Sequence, residues 1–149
     1  MIFFISLEYE FFVDYKSFNE AGEDCQSKGG KLALPTNEAT NEIIVNLAIL
    51  QYDLAIQNGS SPHWNAAVPI WINVQLDGDN QPTTTLMYTN WRSDNYAPNN
   101  PDDECVRVNT RGPAAYAWDD KTCTAKYSYV CEFTGKGKIQ KRKRMFTNV

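Results

Sequence analysis

Acidic side chains are concentrated in two stretches of the chain. The first stretch, residues 94–104, contains Asp94, Asp102, Asp103 and Glu104 along with several asparagines, and the second is Asp119-Asp120. Calcium takes six to eight oxygen ligands from carboxylates, amide carbonyls and backbone carbonyls, and these residue types supply such oxygens. The alternative is that the acids only solvate a surface loop, and composition alone favours this second interpretation.

The pair Asp119-Asp120 raises a geometric question. Adjacent residues of a strand point to opposite faces of a sheet. Both residues therefore reach one ion only if the strand end is twisted, or if one of them also contributes its backbone carbonyl.

The chain has four cysteines, Cys25, Cys105, Cys123 and Cys131, and a single histidine, His63. With no C-x-x-C pair and one imidazole, a structural zinc site has too few ligands. Two disulfides formed in an oxidising compartment fit better, so we expect a secreted, extracellular protein. Four cysteines allow three connectivities, and their spacing does not choose among them.

Composition predicts one globular domain at residues 1–134 with a basic, flexible tail at 135–149. Apolar residues make up 42% of the 149 residues and aromatic residues 13%, which is typical of a packed core. No stretch approaches the roughly 20 apolar residues of a transmembrane helix. The domain has no basic stripe, so we expect no nucleic acid partner. Three interpretations of the tail remain open. It is a binding site for sulfated glycans, it is a cleavage site for a dibasic protease, or it is simply solvated.

Two helices are predicted in the first third of the chain. Ser17 and Glu20 form a capping box, and Phe18, Ala21 and Cys25 follow at helical spacing before Gly29-Gly30. A second helix begins near Thr36-Asn37 and ends by Asp53. Its apolar face is formed by Ile43, Ile44, Leu47 and Leu50.

Short strands and long loops follow the helices. Residues 2–12 predict one or two strands, 70–74 the strongest strand, 86–88 and 105–108 weaker ones, and 127–133 the last. Loops are predicted at 57–69, which contains the glycosylation sequon Asn58-Gly59-Ser60, and at 92–104. This order of elements indicates an α+β fold.

Several motifs occur in an order that resembles the C-type lectin-like domain family. They are Cys25, Trp71-Ile72-Asn73, Asn90-Trp91, Asp103-Glu104-Cys105-Val106, Trp118-Asp119-Asp120 before Cys123, and Val130-Cys131-Glu132. The resemblance runs from about Glu8 to Phe133. It implies two helices packed on small antiparallel sheets with a long loop region. It also implies that Cys25 pairs with Cys131 and that Cys105 pairs with Cys123.

The resemblance further implies a calcium cofactor bound by Asn99, Asp103, Asp119 and Asp120. Ala97-Pro98-Asn99 stands where sugar-binding members have Glu-Pro-Asn or Gln-Pro-Asp, and a cis bond is expected before Pro98. Ala97 departs from that pattern because it has no side-chain oxygen. Asn95, or the triplet Asn100-Pro101-Asp102, is an alternative for the missing ligand.

The function implied is that of a calcium-dependent carbohydrate-binding lectin, in which two vicinal sugar hydroxyls coordinate the calcium and the same four residues contact the sugar. The alternative is a calcium-independent module of this fold that binds protein, mineral or lipid. We expect a glycan partner, allow for a homodimer, and expect no enzyme because no nucleophile–base pair is indicated. Tyr96 or Trp64 is a candidate for stacking on a sugar, and we expect Asp120 at the surface.

Overall fold

The computed structural model describes residues 7–92, 102 and 104–134. Its elements, in chain order, are β1 Leu7–Lys16, α1 Phe18–Ser27, β2 Lys31–Leu32, α2 Glu38–Gln57, β3 Ile70–Gln75, β4 Cys105–Val108, β5 Trp118–Lys121 and β6 Tyr127–Thr134. The α+β class is confirmed. The tail predicted at 135–149 and the start of the first predicted strand lie outside the described residues.

All the described strands belong to one six-stranded sheet. The order is β1-β6-β3-β4-β5, and β2 pairs with Cys131 and Glu132 of β6 on the edge opposite β1. The pairs β1–β6, β2–β6, β3–β4 and β4–β5 are antiparallel, as expected, whereas β3 and β6 are parallel. The sheet is therefore mixed, and β5, which carries Asp119 and Asp120, lies at one end of the strand order.

Helix α1 begins and ends where the sequence predicts. The hydroxyl of Ser17 accepts a hydrogen bond from the Glu20 backbone N–H, and the Glu20 carboxylate accepts one from the Ser17 N–H. Gly29 follows with a φ of 88°, which favours glycine. A side chain at Gly30 would overlap the backbone carbonyl of Glu132, so the turn fits closely against β6.

Helix α2 begins after the Asn37 N-cap, as predicted, but it does not end at Asp53. It runs on to Gln57, because Leu54, Ala55 and Ile56 continue the helix until Asn58-Gly59, where Gly59 has a φ of 100°. The predicted apolar face is also partly wrong. The buried residues are Asn41, Ile44, Val45, Ala48 and Tyr52, whereas Ile43 and Leu50 are exposed.

The strand predicted at Leu86–Tyr88 is not formed, since these residues make no ladder. Their apolar character has another cause, because Leu86 and Tyr88 pack against the core. The ring of Tyr88 meets the ring of Trp118 edge to face at 5.8 Å between centroids. The apolar side chains at alternate positions, Leu86 and Tyr88, therefore anchor a loop on the core.

The core consists of two clusters of buried side chains. One contains Ile44 and Val45 of α2 with Ile72, Val106, Trp118 and Val130 of the sheet. The other contains Phe18 and Cys25 of α1 with Trp71, Tyr129 and Cys131. Each helix therefore packs against its own part of the sheet.

Both expected disulfides are present. Cys25–Cys131 ties α1 to β6 across 106 residues, and Cys105–Cys123 ties the start of β4 to the turn after β5 across 18 residues. The connectivity left open by the spacing and implied by the resemblance is confirmed. The second disulfide fixes the end of β5 next to the point where the chain returns from residues 93–103.

Candidate functional site

The two adjacent acids of β5 are both buried. Asp119 is 2% exposed and Asp120 1%, so the expectation that Asp120 lies at the surface is wrong. The register of β5 with β4 places Asp119 opposite Arg107 and Asp120 opposite Val106. Residues 90–92 run along the outer edge of β5 at Trp118.

The carboxylate of Asp119 is held by two residues of the β4 side. Its Oδ2 accepts a hydrogen bond of 2.8 Å from Nδ2 of Asn109 and lies 3.9 Å from Nη2 of Arg107. Its Oδ1 is buried and has no hydrogen-bond partner among the described residues, and the same is true of Oδ1 of Asn109. One carboxylate oxygen of Asp119 is therefore committed to the protein, and the other is left for a further contact.

Asp120 lies on the other face of β5. Because side chains alternate along a strand, Asp120 shares its face with Trp118, whereas Asp119 points to the face of Arg107. The geometric question raised by the sequence thus applies to this structure. If Asp119 and Asp120 bind one ion, there are two possibilities. Either both side chains reach the ion from opposite faces of β5, or a backbone carbonyl replaces one of the two side chains as the ligand.

Arg107 links this site to an aromatic cluster that the sequence did not reveal. Its Nη1 donates a hydrogen bond of 2.8 Å to the hydroxyl of Tyr127, and its guanidinium lies 5.0 Å from the centre of the Tyr127 ring. The Tyr127 ring in turn stacks on the ring of His63 at 5.9 Å. The available signal was a lone arginine in the apolar strand sequence Cys105–Val108, which needs an acidic partner on the neighbouring strand.

His63 is held in its neutral form by these surroundings. Burial lowers its pKa and the Arg107 guanidinium lowers it further. The Asn65 N–H donates a hydrogen bond of 3.0 Å to Nδ1, which requires that nitrogen to be unprotonated. The ring of Trp64, a candidate for stacking on a sugar, is 75% exposed and stacks on the ring of His63. The other candidate, Tyr96, lies outside the described residues.

Trp118 anchors β5 in the core. Its side chain is fully buried, and its Nε1 donates a hydrogen bond of 3.0 Å to Oδ1 of Asn41 on α2. The ring meets Trp91 edge to face at 5.6 Å. A large buried ring with its polar atom satisfied fixes the strand, so the positions of Asp119 and Asp120 follow from the core.

The long loop leaves and rejoins the described structure beside β5. Before the loop, the Arg92 N–H donates a hydrogen bond of 3.1 Å to the carbonyl of Trp118, and the Trp118 N–H donates one of 2.7 Å to the carbonyl of Asn90. After the loop, Cys105 pairs with Lys121 at the other end of β5. Asn99, Asp103 and the predicted cis bond before Pro98 lie outside the described residues.

The described residues hold only part of the predicted metal site. Within 7–92, 102 and 104–134, no group of three or more histidine, cysteine or carboxylate side chains is placed to hold a metal ion. Asp119 and Asp120 offer oxygen, which suits calcium, but the Arg107 guanidinium beside Asp119 does not.

Comparison with known proteins decides the family. The family model described as the lectin C-type domain matches residues 14–133. The chain belongs to the C-type lectin domain family. Members of this family are binding proteins and not enzymes, so the expectation of a non-enzyme is confirmed.

This C-type lectin domain is 30% identical to tetranectin of Mus musculus over 131 residues, covering 82% of the chain and 57% of tetranectin. The chain thus spans little more than half the length of that relative.

Solved structures share the fold of this C-type lectin domain. The carbohydrate-recognition domain of cow CD23, solved in the presence of a GlcNAc2Man3 oligosaccharide, has a TM-score of 0.66 at 18% identity, over 91% of this chain and 93% of that one. A calcium-independent type II antifreeze protein has a TM-score of 0.59 at 18% identity, over 85% of each chain. The fold is therefore shared by a carbohydrate-recognition domain and by a calcium-independent antifreeze protein. Among the described residues, no helix is long and apolar enough to cross a membrane.

Proposed function

We propose that this C-type lectin domain binds glycans through a calcium ion held by Asn99, Asp103, Asp119 and Asp120. One observation carries the proposal. The loop that contains Asn99 and Asp103 leaves the described structure beside Trp118 and rejoins it beside Lys121, at the two ends of the strand that carries Asp119 and Asp120. The two ends of the loop therefore lie at the two ends of β5, which supports a site shared by β5 and the loop.

The four residues have distinct roles in this proposal. Calcium, when bound, supplies coordination positions for two vicinal hydroxyls of a sugar. Asp120 provides a carboxylate and accepts a hydrogen bond from a sugar hydroxyl, while Asn99 and Asp103 complete the oxygen set from the loop. Asp119 contributes through Oδ1, because Oδ2 is already bonded to Asn109.

The protein surroundings favour a rigid site. Asn109 and Arg107 hold the side chain of Asp119 in place. The buried indole of Trp118 is bonded to Asn41 and holds the adjoining backbone of β5. Ligands that are already in place lose little conformational entropy when a partner binds. β5 can therefore serve as the fixed half of the site.

A second candidate is a calcium-independent binding module that uses the same loop. Two observations favour it. The positive charge of Arg107 lies beside Asp119 and opposes a cation there, and Ala97 has no side-chain oxygen where sugar-binding members have an acid or amide. The similar fold of a calcium-independent antifreeze protein is consistent with it.

We further propose that the protein is extracellular, with residues 1–134 as the domain and 135–149 as a flexible basic tail. The support is the pair of disulfides, since such bonds form and persist in oxidising compartments. The partner proposed is a glycan, and nucleic acid is not among the partners that the charge distribution favours.

Chelation separates the two candidate functions. The protein is applied in millimolar calcium to resins carrying mannose, galactose and a mannose-type N-glycan, and is then washed with a chelator. Retention followed by release with chelator supports the calcium-dependent function. Retention that persists in chelator supports the calcium-independent module. No retention on any glycan resin counts against glycan binding itself.

A further inference from the structure

The sequon Asn58-Gly59-Ser60 closes the C-terminal end of α2. The Gly59 N–H donates a hydrogen bond of 3.1 Å to the carbonyl of Ile56, and the Ser60 N–H donates one of 3.0 Å to the carbonyl of Ala55. This pair of bonds is a common helix end, in which a glycine takes the left-handed conformation. The sequon therefore has a fixed place in the fold.

Asn58 is exposed and lines a groove between α2 and β1. The volume of the groove is about 330 Å³, which is at the lower end of the range for small-molecule sites. Its lining combines apolar side chains with two amides. The lining residues are Phe11 and Val13 of β1, Gln51, Leu54 and Ala55 of α2, and Asn58. A group attached to Asn58 therefore begins at the wall of this groove.

The lining suits an N-acetylhexosamine, which has an apolar ring face and an acetyl methyl group as well as hydroxyls and an amide. Phe11 packs partly against the core, so its ring is held in place, and aromatic rings offer a broad apolar surface. Leu54 is 43% exposed and has apolar surface that a sugar can cover. The amide of Gln51 donates and accepts hydrogen bonds, which the polar groups of the sugar require.

We propose that Asn58 is N-glycosylated and that the first N-acetylglucosamine of its glycan lies in the groove between α2 and β1. The proposal rests on the extracellular location proposed above, since this modification is made on secreted proteins. Asn58-Gly59-Ser60 is the single sequon among the 149 residues, so one modified site is expected.

The modification requires an oligosaccharide donor linked to a lipid diphosphate. The Nδ2 atom of Asn58 forms a bond to the anomeric carbon of the first sugar and loses one proton. The bond from that carbon to the diphosphate oxygen breaks, and the lipid diphosphate leaves with the bonding electrons. Nothing is oxidised or reduced in this transfer.

The groove is remote from the proposed calcium site. β1 and β5 are the two ends of the strand order β1-β6-β3-β4-β5. Four strand spacings of about 4.8 Å separate them by about 19 Å. The first sugar would therefore cover the groove and leave β5 open. A failure of this proposal leaves the calcium-dependent function untouched, and the reverse also holds.

Peptide mapping tests the modification. The chain is produced in animal cells with a cleavable leader, so the outcome does not depend on where the natural protein resides. Peptide N-glycosidase should lower the intact mass and convert Asn58 to aspartate. Ser60→Ala should abolish the modification while keeping the backbone bond to Ala55 that closes α2. Ser61→Ala, a change just outside the sequon, should leave it in place. An unmodified Asn58 in the wild-type protein overturns the proposal.

Urea unfolding tests whether the first sugar lies in the groove. An endoglycosidase trims the glycan to a single N-acetylglucosamine, which removes the effect of its outer sugars. The trimmed protein should unfold at a higher urea concentration than Ser60→Ala. This difference should shrink when Leu54→Ala removes a wall of the groove. It should persist in Leu50→Ala, because Leu50 is exposed on the same helix but is not part of the lining.

NMR measures the contact directly. In the trimmed protein, protons of the sugar should show nuclear Overhauser effects to the ring of Phe11 and to the methyl groups of Leu54. Their absence overturns the proposed position of the sugar. A urea midpoint difference that Leu54→Ala leaves unchanged overturns it as well.

Discussion

Arg107 and Asp119 face each other across β4 and β5, buried to 8% and 2% exposure, with Nη2 of the arginine 3.9 Å from Oδ2 of the acid. This ion pair places a positive charge inside the predicted calcium site. It also explains how the strand sequence Cys105–Val108 accommodates an arginine.

Loss of the buried arginine should be costly. Arg107→Met leaves Asp119 buried without its cation, which is expected to lower the free energy of unfolding by about 3–5 kcal/mol. Urea unfolding at neutral pH measures the change. The double variant Arg107→Met/Asp119→Asn should recover part of that loss, because neither charge is then left alone.

The ion pair between Arg111 and Asp53 is the matched control. Its side chains are 36% and 51% exposed, so Arg111→Met should cost no more than about 1 kcal/mol. Equal losses in Arg107→Met and Arg111→Met would show that burial does not strengthen the first pair.

The same change at the two neighbouring acids should have different effects. Asp120→Asn removes a ligand charge, and we expect it to abolish stabilisation by calcium. Asp119→Asn should retain part of it, since its single amide oxygen can still face the ion, although the hydrogen bond that Oδ2 accepts from Asn109 is then lost. At calcium ten times above the dissociation constant, the wild-type stabilisation is about 1.4 kcal/mol, measured by thermal shift. Equal loss in both variants would show that the Asp119 charge is itself a ligand.

The buried indole of Trp118 should stabilise the fold rather than contact ligand. Trp118→Ala is expected to cost about 3–5 kcal/mol in urea unfolding without calcium, as a large truncation in the core. The control is Trp64→Ala, since Trp64 is 75% exposed and should change stability by no more than about 0.5 kcal/mol. Similar losses for both variants would contradict the assigned role of Trp118.

Stability should fall on mild acidification because of His63. Its folded pKa lies below the ordinary value of 6.5, so the unfolded chain binds the proton more readily. The contribution of neutral His63 is therefore fully present above about pH 6.5 and is lost as the pH falls through the lower, folded pKa. Urea midpoints between pH 7 and pH 5 should decline, with a shallower decline in His63→Gln. Since His63 is the single histidine of the chain, parallel pH profiles would refute the assignment.

Local sequence signals predicted much of the fold. The capping box of Ser17 and Glu20, the N-cap of α2 and the apolar run of β3 each depend on near neighbours, and they were correct. The end of α2 was missed because Leu54, Ala55 and Ile56 continue the helix as far as Asn58-Gly59. Leu86–Tyr88 was taken for a strand because packing on Trp118 produces the same apolar pattern.

The site was less predictable than the fold. Motif spacing identified Asp119 and Asp120, but not that Asp119 pairs with Arg107 and Asn109, since cross-strand partners depend on register. The expected apolar face of α2 included Ile43 and Leu50, which the structure exposes. A helix that is apolar on both sides gives no periodic signal for its buried side. Only the packed structure therefore distinguishes the buried side of α2 from the exposed side.

Titration calorimetry of calcium into the wild-type protein, followed by a mannose-type N-glycan, tests the central claim most directly. The proposed site predicts one calcium ion with a dissociation constant on the order of 10⁻⁴ to 10⁻³ M, as in other extracellular modules. It also predicts glycan heat only when calcium is present, and neither signal in Asp120→Asn. Absence of calcium heat at millimolar concentrations in the folded wild-type protein, or glycan heat that is unchanged in chelator, would contradict it.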